Sequence, residues 1–478
     1  MNTETHNQCN KKENSSTTHI EVGSHTAQLQ FSHGNNTSMA VPCSGQCHSC
    51  PRQQHCKANT YSNIEALETY HPQAPLHAPP PNRGIKGLGI AIDIGTTTLA
   101  FALVDMVTGH TIATHSQGNS QLAYGGDVVS RIHHATHGHM SQLNIAITSD
   151  IIKGIGHILS YTSAAHITSM AITGNTTMLQ LLLNLPCNGL MEAPFTPAIT
   201  GIRHYAYTDI FPDHTLQCDV LILPIISAFV GADISAGLIA SGWPNVQGYQ
   251  LLLDIGTNGE MALFTPDTIY VTATAAGPAF EGASISCGVS SIPGAITRAN
   301  FYPTSHVFSF ETIADEEPIG ICGTGVIDIC AALITHRLVD ETGFIESGED
   351  KIYITPSIAF TQRDIREVQL AKSAIRSGIE VLRTAAGIQY QDIANVFLAG
   401  GFGYKMSPTA ATTLGLIPQE LTHKITAIGN GALGGCIRVL LSSVAQDNVA
   451  RLATMATEIN LATHPSFGDY FMDYMGME

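Results

Sequence analysis

Four cysteines, Cys43, Cys47, Cys50 and Cys56, fall within fourteen residues of the stretch PCSGQCHSCPRQQHC, spaced C-x3-C-x2-C-x5-C. Thiolates this close can wrap one metal centre, and Gly45 and Pro51 favour the tight turns that such a loop needs. Four of them suit a cubane 4Fe–4S cluster. On spacing alone a 2Fe–2S cluster, a tetrahedral zinc with His48 or His55 as substitute ligands, and an unligated redox cluster stay open. The remaining seven cysteines, Cys9, Cys187, Cys218, Cys287, Cys322, Cys330 and Cys436, are scattered and read as small apolar side chains.

A second chemistry is written twice. DIGTTT at residues 93–98 and DIGTNGE at residues 254–260 each follow an apolar run and precede another strand. In the first, Gly95 lets backbone amides approach a phosphate, and Thr96, Thr97 and Thr98 add hydroxyl donors. Asp93, at the strand end, can hold a hydrated Mg2+. The second copy offers Asp254, Gly256, Thr257, Asn258 and Glu260 in the same arrangement. One such turn is weak; two in register would hold a triphosphate between them.

Asp254 is the best candidate for the group that orients an attacking water. Glu281, in GPAFEGA, either faces that water or Mg2+, or stabilises a turn. Asn175 and Thr176, in GNTT, are placed near the γ-phosphate. Gly323, Thr324 and Gly325 combine a tight turn with a helix start and border phosphate or ribose. Gly400, Gly401 and Phe402, after the apolar strand VFLA, offer bare backbone to adenine and ribose; the competing reading is strand-to-helix punctuation. The run RIHHATHGH reads as a solvated helical face, and Lys405 as surface charge.

These residues need a scaffold, and the length supplies one. The 478 residues, 44% hydrophobic, allow two or three domains or one large bilobal body. Residues 1–40 read as a disordered tail, 41–60 as the four-Cys module and 61–86 as a proline-rich linker. Two related halves follow, 87–245 and 246–478, each with a strand–turn–strand and a later strand–turn–helix. The repeat implies two similar α/β lobes facing one another. A formal charge of −17 with 21 Lys+Arg argues against nucleic acid as a partner. No apolar run is long enough to span a membrane, and the polar start lacks a signal-peptide core, so the expected setting is the cytoplasm.

The paired DIGT hairpins, the GNTT connection and the LAGGFG turn resemble the acetate and sugar kinase/Hsp70/actin ATPase superfamily. YGGDVVSRI, GNTTMLQLLLNLP, ISAFVGADISAG, AAGPAFEGASISCG, CGTGVIDI, TQRDIREVQLAKSAIRSGIEVL and LATHPSFGDYF resemble, more narrowly, the ATPase portion of reductive activators of corrinoid enzymes, from about Gly87 onward. The resemblance implies a duplicated bilobal ATPase behind a small Cys-rich metal module. It implies ATP and Mg2+ as ligands, an iron–sulfur cluster as electron carrier, and a corrinoid protein of a methyltransferase or O-demethylase as partner. The reaction would be one-electron reduction of Co(II) corrinoid to Co(I), fed by a low-potential donor.

Longer members of that family begin with a plant-type ferredoxin domain, whose spacing differs from the one here. They also carry a middle domain that helps pair subunits, for which this length leaves no room. A homodimer is therefore one option among several oligomeric states, and the donor is unspecified. Two other readings fit the fold: a small-molecule kinase, and an ATP-gated interaction protein with a zinc module.

Overall fold

The apolar runs that flank each DIGT motif become the middle strands of two sheets. The computed structural model describes residues 86–162, 166–400 and 406–477, all within one compact unit spanning Gln54–Glu478. The expected tail, four-Cys module and linker as far as residue 85, together with Gly401, Phe402 and Lys405, lie outside the described residues.

The first half supplies β1 (Leu88–Ile94), β2 (Thr98–Asp105), β3 (Thr111–Gly118), β4 (Ile167–Gly174), β5 (Arg203–Ala206) and β6 (Asp219–Ile222). They form one sheet in the order β3-β2-β1-β4-β6-β5. β1 and β2 read as unbroken apolar runs because both faces of these strands are covered. β1 pairs antiparallel with β2 and parallel with β4.

The second half supplies β7 (Tyr249–Ile255), β8 (Gly259–Phe264) and β9 (Ile269–Thr274). A small sheet, β10 (Ala295–Tyr302), β11 (Val307–Thr312) and β12 (Gly320–Ile321), and a hairpin, β13 (Lys351–Tyr353) and β14 (Ala359–Thr361), are inserted next. Then come β15 (Ile393–Ala399), β16 (Ile425–Gly429) and β17 (Ala456–Glu458), completing a sheet ordered β16-β15-β7-β8-β9-β17. β7, β8 and β9 are antiparallel neighbours, and β15 runs parallel to β7 and β16. The core β3-β2-β1-β4-β6 of the first sheet thus has its counterpart in β9-β8-β7-β15-β16 of the second. The duplication expected from the motifs is present as topology.

Helices that position the site are α1 (Val128–His134), α2 (Met140–Leu159), α3 (Thr176–Leu182), α4 (Ala232–Ala240), α5 (Gly323–Thr335), α6 (Gln362–Ala386) and α7 (Gly431–Leu441). α6 opens on a capping box between Thr361 and Asp364 and stops at Gly387, which is left-handed at φ 66°. α4 and α7 cross so closely that a Cβ on Gly435 would collide with the Ala236 carbonyl oxygen. α7 comes from the second half, yet it packs on the first sheet: Leu440 meets Gly89, and Cys436 Sγ lies 3.8 Å from the Ile92 carbonyl. Ile92, Leu252, Leu433 and Cys436 accordingly belong to one hydrophobic core.

Candidate active site between the lobes

Each sheet presents its antiparallel turn and the end of its fourth strand at the same edge. In the first lobe the Gly95 amide donates to the Thr98 carbonyl at 3.0 Å. A Cβ on Gly95 would sit 2.7 Å from that oxygen, so the turn itself requires glycine. Asn175 follows β4 and caps α3, its Oδ1 accepting from the Met178 amide at 2.9 Å. Its Nδ2 donates to Thr96 Oγ1 at 3.1 Å, which ties the strand-end residue to the turn. Gly231 seals the back: a Cβ there would lie 2.5 Å from Asn175 Cα. Thr97 is exposed, and Thr98 opens β2.

In the second lobe the Gly256 amide donates to the Asn258 carbonyl at 2.8 Å. Thr257 Oγ1 donates to Glu281 Oε2 at 2.7 Å, so Glu281 sits beside this turn. Ala399, the last residue of β15, lies opposite Asp254 in the parallel register. Gly400 follows at φ 88°, where a Cβ would sit 3.0 Å from Asp254 Oδ1. Gly400 and the second DIGT carboxylate therefore meet.

Four carboxyl groups share this edge. Asp93 accepts from Asn430 Nδ2 at 2.8 Å, a bond between lobes made by the residue that caps α7. Burial pushes the Asp93 carboxyl up to about 7, against the Asn430 bond, with Asp233 adding to the rise. Asp254 is raised to about 7 by burial and by the charges of Asp233 and Asp93. Burial raises Asp233, in the first turn of α4, to about 6, while backbone amides at that helix start hold it down. Glu260 faces Asp254 across the β7–β8 ladder and is raised by burial, Asp233 and Asp254. Like charges gathered in a cleft call for a cation.

A stability test follows. Asp93 and Asp254 move from 3.8 to about 7 on folding, so between those values the folded chain holds more protons than the unfolded one. Their contribution is complete below pH 3.8 and is lost as pH rises through about 7. In scanning calorimetry without nucleotide or metal, Asp93→Asn is expected to flatten the fall of Tm over that window. Equal slopes for the two chains would refute the assignment.

The other expected site residues have these local partners. Thr176 Oγ1 is buried and donates to the Ser227 carbonyl at 2.7 Å, which commits it to the loop before α4. Gly323, Thr324 and Gly325 form the buried start of α5, and Thr324 Oγ1 lies 3.4 Å from Cys322 Sγ. A Cβ on Gly325 would collide with the Ile296 carbonyl, so helix-to-strand packing explains that glycine. In the run read as a solvated face, His133, His137 and His139 are exposed, but Arg131, which opens it, is fully buried because its guanidinium bonds to the Thr96 and Gly125 carbonyls. Sequence reasoning missed Asp233, Asn430 and Asn119, whose Nδ2 donates to the Gly95 carbonyl at 3.0 Å. The pattern GNGA, an asparagine ahead of a helix, was the available signal for Asn430.

Among the described residues no three His, Cys, Asp or Glu side chains are grouped to hold a metal directly. Mg2+ keeps several waters and binds through one or two carboxylates plus phosphate, so Asp93 and Asp254 fit it as outer partners. Thr173 Oγ1, fully buried and opposite Asp93 in the β1–β4 register, has no hydrogen-bond partner among the described residues and suits an ordered water.

Comparison with known proteins follows the same division. A family model described as "C-terminal domain of RACo the ASKHA domain" matches residues 248–478, and one described as "RACo middle region" matches residues 88–245. The expectation that no room remains for the middle domain is thus corrected: the first lobe is that region. The corrinoid activation enzyme RamQ of Eubacterium limosum is 32% identical over 80% of this chain and 69% of its own. A Methanosarcina barkeri reductase of the Co(II) methylated amine-specific corrinoid protein is 27% identical over 80% of this chain and 76% of its own. A solved "reductive activator for corrinoid, iron-sulfur protein" superposes with a TM-score of 0.74 at 31% identity, covering 83% of this chain and 67% of that one. Shared across the whole described body, these similarities place the chain in the family of reductive activators of corrinoid proteins.

Proposed function

We propose that this protein couples ATP binding and hydrolysis between its lobes to one-electron reduction of a Co(II) corrinoid to Co(I) on a partner protein of a methyltransferase or O-demethylase system, in the cytoplasm. The observation that carries the ATPase part is the meeting of two phosphate-type turns with Asp93 and Asp254 at one cleft edge. Asp254, raised toward neutral pH, is poised to orient and deprotonate a water. Asp93, held by Asn430, would position hydrated Mg2+. Glu281 braces the second turn through Thr257.

For one electron each ~59 mV uphill costs a factor of ten in equilibrium constant. ATP need not touch the corrinoid to offset that cost; lobe closure that binds the partner's two states unequally suffices. Cys43, Cys47, Cys50 and Cys56 fit an iron–sulfur cluster as a donor set, four thiolates in one short loop. Such a group would supply one-electron transfer from a low-potential donor. Anaerobic protein mixed with that donor and a Co(II) corrinoid protein should yield the Co(I) spectrum when MgATP is added. Reduction no greater than in the ATP-free control would refute the proposal.

A further inference from the structure

Arg131, in α1, is a charged side chain with no exposure at all. Its donors reach neutral acceptors: Nη2 to the Thr96 carbonyl at 2.6 Å, Nε to the Gly125 carbonyl at 2.9 Å, and Nη1 to Gln121 Oε1 at 3.3 Å. Nη1 also lies 3.3 Å from Met178 Sδ. Burial pushes the guanidinium down to about 10, with Asp127 opposing, so it stays charged at neutral pH. A buried cation held by neutral groups is costly until an anion approaches it.

The Thr96 carbonyl belongs to the first phosphate-type turn, and the Gly95 carbonyl beside it is taken by Asn119 Nδ2 at 3.0 Å. Asn119 Nδ2 also lies 3.6 Å from Met178 Sδ, so both side chains approach the turn from the Met178 side. In a planar trans peptide the carbonyl and the following amide point in opposite directions. Drawing the Gly95 and Thr96 carbonyls toward that side turns the Thr96 and Thr97 amides the other way. Neither amide donates to a group among the described residues. Successive free amides on one turn make an anion nest.

We propose that Arg131 is a positioning residue for phosphate at the first turn: with Asn119 it fixes the turn's carbonyls so that the Thr96 and Thr97 amides face the nucleotide, and its charge supports the phosphates from one layer behind. The second turn is backed by a carboxylate instead, Glu281 on Thr257, so the two related turns differ in electrostatic backing. This inference rests on the nucleotide reading of the cleft.

The test is calorimetric titration of the full chain, wild type, Arg131→Met and Arg131→Lys, with MgATP and separately with adenosine. Arg131→Met is expected to weaken MgATP roughly ten- to hundredfold, the loss of charge-assisted hydrogen bonds, and to leave adenosine within about threefold. Arg131→Lys, which keeps the charge without the fork, is expected to fall between. Equal weakening of both ligands would make Arg131 a packing residue and overturn the proposal, as would unchanged MgATP binding. Should the methionine variant not fold, the lysine variant decides by the same contrast. Wild-type protein that binds neither ligand would sink the nucleotide site itself, a failure distinct from that of Arg131.

Discussion

An Asp254→Asn chain is expected to bind MgATP within about threefold of wild type yet hydrolyse it at least about a hundredfold more slowly, the contribution typical of a positioned general base. The side chain lies one residue before the end of β7, opposite Ala399 and beside Gly400, so an isosteric amide fits without moving the strand. What it loses is the charge that burial, Asp233 and Asp93 hold near neutral pKa. Removing that charge also relieves Glu260, whose carboxyl Asp254 helps to raise, so the variant should not be less stable. Steady-state ATPase assays with a parallel binding titration separate these outcomes. A rate within tenfold of wild type would move the catalytic role to another carboxylate of the cluster.

The second large effect is expected at the cysteines. Cys47→Ser combined with Cys50→Ser should abolish ATP-driven formation of the Co(I) corrinoid and leave ATP binding within about threefold of wild type. The buried cysteines of the body offer poor substitutes, because a ligand thiol must ionise. Burial pushes Cys187 and Cys218 up to about 11 and raises Cys330 and Cys436 as well. Cys322 donates to the Ile296 carbonyl at 3.2 Å inside the protein. Iron, sulfide and zinc analysis of both chains, with the absorbance of anaerobic protein, checks the premise. Stoichiometric zinc without iron, or undiminished reduction by the double variant, would refute the electron-carrier role.

The sequence carried what is local. Each DIGT hairpin was legible because its apolar runs, glycine and hydroxyl residues lie within about a dozen positions, and the topology repeats as the motifs do. Asn175 was legible through GNTT, where a strand end and a helix cap share one residue. Asp233 and Asn430 were not, because the groups they act on are distant in the chain: Asn430 and Asp93 are 337 residues apart. The packing partners of Thr176 and Gly325 were hidden for a different reason. A motif places a residue near a site, but whether its side chain turns toward ligand or toward packing is decided by neighbours such as Ser227 and Ile296. Arg131 looked like one more charge on a polar helix, and tertiary contact made it a buried donor.

The crossing of α4 and α7 at Gly435 bears on how the molecule is made. One face of the first sheet is covered by a helix that begins at Gly431, and Cys436 meets Ile92 across 344 residues of sequence. During synthesis the first half emerges with that face only partly covered, by α4, and waits for nearly the whole second half before it can be closed. Contacts of such long range are slow to form, and bare apolar sheet is prone to aggregate meanwhile. Asn430 reaches Asp93 in the same late event. The amide that holds Asp93 therefore arrives only when the chain is almost finished, so an incomplete chain lacks that part of the site.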